Sequence, residues 1–390
     1  MRKTAIVAAV RTPVGRIRGR LAPAKAENIA ALVIAEAVRR AGIDPASIDE
    51  VVYANLYAHE ISNMGRYAAL AAGLPVTVPA VTVDRRCGSS LTAIALADCL
   101  IRGGDADCVL AGGVEMDSRR PYVLLQQEQL YANKPPIFRT STRVAPAGMS
   151  PENMGLTAEK LAQMYHLTRE SCDAFAVESH RRAAEAWANG RFDEQIVPVE
   201  IDLPKDRSYL FDRDEVVRPD CSMETLAKLK PAFCADGVST AGNSSPMSDG
   251  ASAVLLMEEN HAKDLGCEIL GYITSSASVG VDPSIMGIGP VYAVRKLLQK
   301  TGLTLDSVDL VEMNEAFAAQ CLACISALEV RPERLNVNGG AIALGHPLAA
   351  TGGILTAKLI YEMRRRDVHR GIITFCCGGG QGVAMMVERD

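Results

Sequence analysis

A chain of 390 residues, 48% hydrophobic and 22% charged, has the length for two or three domains and the apolar content for a sizeable core. Its net charge of −5 argues against general nucleic-acid binding, so an anionic ligand has to be met by local basic residues. Eleven cysteines without framework spacing, and no apolar run near the ~18 residues of a membrane span, set the expectation of a reduced, cytoplasmic protein with no membrane insertion. The chain enters a strand at once, leaving no room for a signal peptide, and Val387-Glu-Arg-Asp390 is no peroxisomal address.

In chain order, Thr4–Val10 reads as a buried strand before the turn Arg11–Gly15. Helical spacing covers Glu27–Ala41 and stops at Gly42. A strand at Val51–Ala54, a helix at Met64–Ala72, a strand at Ala80–Val83 and an apolar helix at Ser89–Arg102 follow. Cys108–Ala111 is a strand closing on Gly112-Gly113. Such alternation predicts a largely parallel sheet covered on both faces. From about Ser118 to Asn243 charge, aromatics and prolines increase, and Thr168–Gly190 forms an amphipathic helix carrying Trp187. This reads as a surface-like insertion suited to substrate recognition.

After Gly250 the alternation resumes and a repeat emerges. Ala41–Ala54 aligns with Thr301–Asn314, with Gly, Ser, Asp and Val in matching places. The helix after Cys87 has its counterpart after His346, and Ala111–Gly113 in Cys376–Gly380. Two copies of one α/β unit packed together would bring distant loops into one cleft.

Four positions carry chemistry. His346 lies in Asn336–Gly353, among glycines and before Pro347, at the junction to an apolar helix Leu348–Met363. A tight turn with an incidental histidine is the bland alternative, and its company decides against that. Cys87, in Val83–Leu91, sits between a strand and a helix N-terminus, where amides and adjacent arginines favour thiolate. Cysteines inside elements, such as Cys99 and Cys108, read as structural. Asn314 ends the strand Val308–Met313, where it can serve as a water or oxyanion partner, as a helix N-cap, or as both. Cys376 ends the strand Ile372–Phe375 and opens a glycine run. Gly378-x-Gly380-x-Gly382 is a poor dinucleotide fingerprint, because a strand-like run, Val383–Val387, follows instead of a helix. Cys321-Leu-Ala-Cys324 reads as helix packing rather than zinc.

Together these pieces resemble the thiolase family over essentially the whole chain. The match runs through Val10-Arg-Thr-Pro13, Cys87-Gly-Ser, Gly112-Gly-x-Glu115, Asn153-Met-Gly155, Arg218-Pro-Asp220, Lys230-Pro-Ala-Phe233, Thr240–Asn243, Asp249-Gly250, Asn314-Glu-Ala-Phe317, Gly345-His-Pro347 and Cys376-x-Gly-Gly-Gly380. The resemblance implies the thiolase fold, two repeated halves in a layered αβαβα arrangement with an inserted loop domain. Residues 1–117 with 246–264 would form the first half, 118–245 the insertion and 265–390 the second half. It implies the reaction acyl-CoA + acetyl-CoA = 3-oxoacyl-CoA + CoA, with no permanently bound cofactor. Cys87 would carry the acyl group, His346 would take its proton, and Cys376 would be the acid/base at the acetyl methyl. Asn314, through a water, and His346 would form one oxyanion site, and the N–H groups of Cys87 and Gly378 a second. Arg218, Thr225 and Ser245 would bind CoA, with Phe233 and Met154 lining the pantetheine tunnel. A homodimer or homotetramer is implied.

Asn153, Ser90, Pro246, Ala349 and Cys377 depart from the family's usual residues, and Pro121–Met149 does not match its tetramerisation and cap segments. These departures bear on acyl specificity and subunit number. A condensing enzyme using acyl carrier protein would pair its cysteine with other bases, which Cys376 opposes. A non-catalytic CoA- or lipid-binding relative would lack one of Cys87, His346 or Cys376, and all are present. An NAD-dependent oxidoreductase ranks third.

Overall fold

The computed structural model describes residues 2–125, 135, 137–139, 142–151 and 153–390. Of the unmatched segment 121–149, residues 126–134, 136, 140 and 141 therefore lie outside the described residues. The first half contains β1 (Thr4–Arg11), α1 (Ala26–Ala41), β2 (Glu50–Ala54), α2 (Met64–Ala71), β3 (Ala80–Val83), α3 (Ser89–Gly103) and β4 (Cys108–Met116). Then come α4 (Met154–Met164) and α5 (Arg169–Ala188), followed by β5 (Ser248–Glu258). The remainder comprises β6 (Gly271–Gly280), α6 (Gly289–Thr301), β7 (Leu310–Met313), α7 (Ala318–Leu328), α8 (Thr351–Arg366), β8 (Arg370–Cys377) and β9 (Gln381–Glu388).

The strands form one sheet in the order β7-β8-β9-β6-β1-β5-β4-β2-β3. Within the sheet the two halves join through three residue pairs, Thr4–Ile273, Ala5–Tyr272 and Ile6–Gly271. On either side of that joint the pattern repeats. β1 and β5, then β5 and β4, pair antiparallel, and β4–β2 and β2–β3 are parallel. Likewise β6–β9 and β9–β8 are antiparallel, β8–β7 is parallel, and a lone parallel bridge from Val311 to Leu335 stands where β3 would be. The repeat extends to detail, since α1 and α6 both end at a glycine, Gly42 and Gly302, with φ of 68°. The expected largely parallel sheet is thus corrected to a mixed one. β8 and β9 form a hairpin through Gly379 and Gly380, both at positive φ, and β5 returns from the insertion against the direction of its neighbours.

Period-two alternation in the strands divides the core into layers. In β1, a bulge between Ile6 and Ala8 interrupts that alternation, so Ala5, Val7, Ala8 and Val10 join the outer core with α1 and α2, whereas Ile6 and Ala9 face α3 and α8. The α3 and α8 helices touch strands of both halves, so the sheet folds round them as a central layer. Twelve of the sixteen residues of α8 are buried, including Lys358, whose ammonium is neutralised by Glu312 at 2.9 Å and capped by Gly339 O at 2.6 Å. On the far side α6 and α7 cover the second half. The expected αβαβα layering is what the chain adopts.

Three local readings change. Gly112 and Gly113 do not close a strand, for β4 runs through them to Met116. They are glycines because a Cβ would meet Ser252 O at 2.2 Å and Ala349 O at 2.1 Å. The helix after His346 begins at Thr351 rather than Leu348, with the Pro347 carbonyl accepting from Ala350 N and Thr351 N. The insertion is less surface-like than its composition implies. The hairpin Val199–Leu203/Arg207–Phe211 adds Val199, Ile201 and Phe211 to the outer core of the first half. Asp214 also forms a fully buried pair with Arg11 at 2.8 Å and accepts from Trp187 Nε1 at 3.1 Å.

Candidate active site

Glycine packing brings the N-termini of α3 and α8 together. A Cβ on Gly352 would come within 2.2 Å of Leu91 N, and the Gly353 N–H donates to Ser90 Oγ at 3.2 Å. Cys87 precedes α3 and His346 precedes α8, so the crossing sets both at one place. The serine that departs from the family's usual glycine, Ser90, supplies one of the ties. The chain reaches Cys87 through Arg86, held at φ 52°, a conformation that costs a non-glycine residue about 1–3 kcal/mol.

The N–H groups of Gly378 and of Cys87 itself face the Cys87 sulfur. They favour thiolate, as does the charge of Arg86, but burial outweighs them and pushes the thiol up to about 11. The pull towards thiolate expected at the helix terminus is present, and burial outweighs it. Cys376 lies within β8 rather than at its end. Burial, then charge on Cys87 and Cys377, drive its thiol well above the ordinary range. Cys377 is also buried, and a Cβ on Gly88 would lie 2.7 Å from its sulfur.

The tautomer of His346 follows from its partners. Thr351 Oγ1 donates its only proton to Pro347 O at 2.8 Å, so it accepts from His346 Nδ1–H at 2.7 Å. The Nε2 lone pair is left free, facing Asn314 Nδ2 at 3.3 Å. Burial drives the imidazole pKa from 6.5 down to about 4, keeping it neutral. Gly345, at φ 100°, allows the backbone to pass Val14 and Ser248, and Ser248 Oγ accepts from His346 N at 3.2 Å. Asn314 is not the helix N-cap, because α7 starts four residues later behind Phe317. Its Oδ1 is buried and has no partner among the described residues.

Met154 lies at the mouth, its Cε 2.9 Å from where a Gly378 Cβ would be. Gly155 leaves room for Phe233, which meets Phe317 edge-on at 5.7 Å. An apolar wall thus runs from Phe233 through Met154 to Gly378. Asn153 caps α4 by accepting from Gly155 N at 2.9 Å. Ser245 Oγ donates to Ala316 O at 3.1 Å, beside the same wall. Arg218 and Thr225 sit further out on the insertion. The Arg218 guanidinium is turned to His180 Nε2 at 2.8 Å and Gly242 O at 3.4 Å, and Thr225 Oγ1 donates to Ser222 O at 2.9 Å. Both are already engaged within the insertion. Among the described residues no cluster of metal ligands occurs, and Cys321 and Cys324 are buried in α7, with sulfur contacts to Asn314 O and Gly287 O at 3.6 and 3.2 Å.

Family models match end to end: Thiolase, N-terminal domain, over residues 4–260 and Thiolase, C-terminal domain, over 267–389. The chain belongs to the thiolase family. An acetyl-CoA acetyltransferase of Pseudomonas aeruginosa is 46% identical over 404 residues, covering all of both chains. The crystal structure of the Bacillus anthracis acetyl-CoA acetyltransferase superposes with a TM-score of 0.95 at 41% identity, over 100% of this chain and 99% of that one. Human mitochondrial 3-ketoacyl-CoA thiolase in complex with CoA superposes with a TM-score of 0.93 at 35% identity, over 100% and 98%.

Sequence reasoning missed the groups that hold this thiolase site in place. Glu315, fully buried, accepts from Ser179 Oγ at 2.6 Å, Asn336 Nδ2 at 2.8 Å and Ile342 N at 3.2 Å. It therefore ties α5, the Asn314 loop and the segment before His346 to one carboxyl group. Asn336, at φ 43°, adds bonds to both backbone groups of Met313 at 2.9 Å. Glu315 and Asn336 both stand in stretches already singled out, next to the residues that drew attention.

Proposed function

We propose that this thiolase joins or cleaves acyl-CoA and acetyl-CoA through an acyl group on Cys87. In the cleaving direction the Cys87 sulfur attacks the 3-oxo carbon while His346 Nε2 takes its proton. The bond between Cα and the 3-carbon breaks, and the departing acetyl-CoA enolate takes a proton from the Cys376 thiol. CoA then attacks the acyl-thioester, its thiol proton passing to the Cys376 thiolate, and Cys87 leaves with the proton from His346. The Gly378 and Cys87 N–H groups serve the oxyanion at one carbonyl, and His346 with a water on Asn314 Oδ1 serves the other. The observation that carries this reading is the pairing of two buried thiols with opposite needs. Cys87 and Cys376 lie close enough that charge on one raises the other, the neutral His346 at the adjoining helix end is available for the Cys87 proton, and burial keeps Cys376 protonated as an acid and makes its thiolate a strong base.

CoA thioesters act here as substrates, with no permanently bound cofactor. Phe233, Met154 and Ser245 line the pantetheine path, and Arg218 and Thr225 lie at its nucleotide end, with Arg218 turning from His180 to reach phosphate. Residues 1–117 with 246–264, 118–245 and 265–390 are the three units, the middle one carrying CoA recognition. The protein works in the cytoplasm as a homodimer or homotetramer. β3 is an edge strand beside exposed Val81 and Leu96, which supports association there. A non-catalytic relative is the lesser reading, since Cys87, His346 and Cys376 are all retained. Incubation with acetyl-CoA should leave one acetyl thioester on Cys87 by peptide mass spectrometry. Stoichiometric labelling elsewhere, with Cys87 bare, would overturn the assignment.

A further inference from the structure

Beside Cys87 lies a cavity of about 940 Å³ lined by Arg86, Asp84, Tyr57, Arg120 and Thr142 among others. It is tied to the reacting thiol through Arg86, which lines it, directly precedes Cys87, and acts on the Cys87 thiol through its charge. Two guanidinium groups converge in it over one ring, Arg86 at 5.6 Å and Arg120 at 3.9 Å from the Tyr57 centroid. Like charges gathered around one aromatic ring repel, and an anion bound among them relieves that repulsion. No hydrogen-bonded carboxylate of the described residues does so. Arg120 donates to the Thr142 hydroxyl at 2.8 Å, and the nearest acid to Arg86, Asp84, is 3.8 Å away and half exposed. Arg18 also lines the cavity against one further acid, Asp117, which accepts from Ser248 N at 3.3 Å. Asp117, raised to about 6 mainly by burial, also interacts with Arg120, and the three arginines of the lining outnumber its two aspartates.

We propose that this cavity receives the far end of the acyl chain and selects acyl groups that end in a carboxylate, read by Arg86 and Arg120. The inference rests on the assignment of Cys87 as the acyl carrier, because only that places the acyl carbonyl at the cavity's inner wall. A carboxylate between the two guanidiniums gains charge-assisted hydrogen bonds and relieves their repulsion, while a methyl end leaves both unmatched. Hydrogen bonds to charged groups worth about 1.5–3 kcal/mol correspond to about a 10–100-fold preference.

The test compares thiolysis of two C6 substrates, 3-oxohexanoyl-CoA and the same chain ending in a carboxylate. The carboxylate-ended substrate should have at least a tenfold higher kcat/KM. Arg120→Gln should remove most of that advantage through KM while leaving the methyl-ended substrate within threefold. Arg86→Lys should retain more of it than Arg86→Met. Equal turnover of both substrates, or equal loss on both in Arg120→Gln, overturns the proposal while the thiolase reading stands. No turnover of either substrate, with Cys87 left unacylated, overturns both.

Discussion

The charge state of His346 is set by its surroundings and has a consequence for both activity and stability. Because the folded imidazole titrates near 4 instead of 6.5, the folded chain binds this proton more weakly than the unfolded chain does. The stability associated with the neutral ring is therefore complete above pH 6.5 and is lost as pH falls from 6.5 towards 4, amounting to about 3 kcal/mol. Urea unfolding at pH 7 and pH 4.5 should show a loss larger by about 2 kcal/mol in the parent than in His346→Gln. Parallel losses would remove the case for a buried neutral ring. Taking away a general base typically slows a reaction by about 10²–10⁴-fold, and His346→Ala should slow thiolysis by that much, with Cys87 alkylation near neutral pH slowing alongside. The two thiols separate by a different measurement. Cys376→Ala should abolish exchange of acetyl-CoA methyl protons with D₂O, followed by NMR, yet still permit slow acetylation of Cys87. Undiminished exchange in that variant would refute the proton-transfer role given to Cys376.

At the scale of elements, the site depends on how closely α3 and α8 approach. Gly352→Ala puts a methyl 2.2 Å from the Leu91 nitrogen, and backbone cannot rotate aside as a side chain can. Overpacking of this kind costs about 1–3 kcal/mol, and the greater effect should fall on kcat, because the helix ends that set Cys87 and His346 are pushed apart. Gly302→Ala is the control: at φ 68° with nothing within 4 Å, it should cost about 1 kcal/mol by chemical denaturation and leave kcat unchanged. These elements were largely legible in the sequence because periodicity and glycine punctuation are local signals. The strand before Cys87, the helix after it and the repeat at Gly42 and Gly302 could all be read that way. What escaped depends on partners distant in the chain. Gly112 and Gly113 look like a strand's closing turn until Ser252 is seen against the first and Ala349, from the other half, against the second. The sequence near Cys87 advertises amides and arginines, but the burial that overrides them comes from α8 and β9. Glu315 holds three segments with no sequence period to announce it.

At the scale of the whole molecule, one edge of the folded sheet is unfinished. Among the described residues β3 pairs with β2 alone, and Tyr67, Leu70, Val81 and Leu96 are 42–49% exposed in and around that edge. Sedimentation should therefore give a dimer or a larger assembly, and Val81→Lys should shift it towards monomer. A monomeric parent at micromolar concentration would defeat that expectation. The three-pair joint between β1 and β6, with one central helix from each half, also dictates an order of events as the chain is made. The first half is without its last strand until β5 emerges, and even then α3 lacks its partner layer. β9, made after Cys376, is the strand that lies between β6 and β8 and completes the second half. A nascent chain thus carries Cys87 for most of its synthesis with no histidine beside it and no second thiol facing it. On the roles proposed for Cys87, His346 and Cys376, reactivity arrives in one late step, so an incomplete chain held on a ribosome has a cysteine but no means of taking acyl groups from the cell's CoA thioesters.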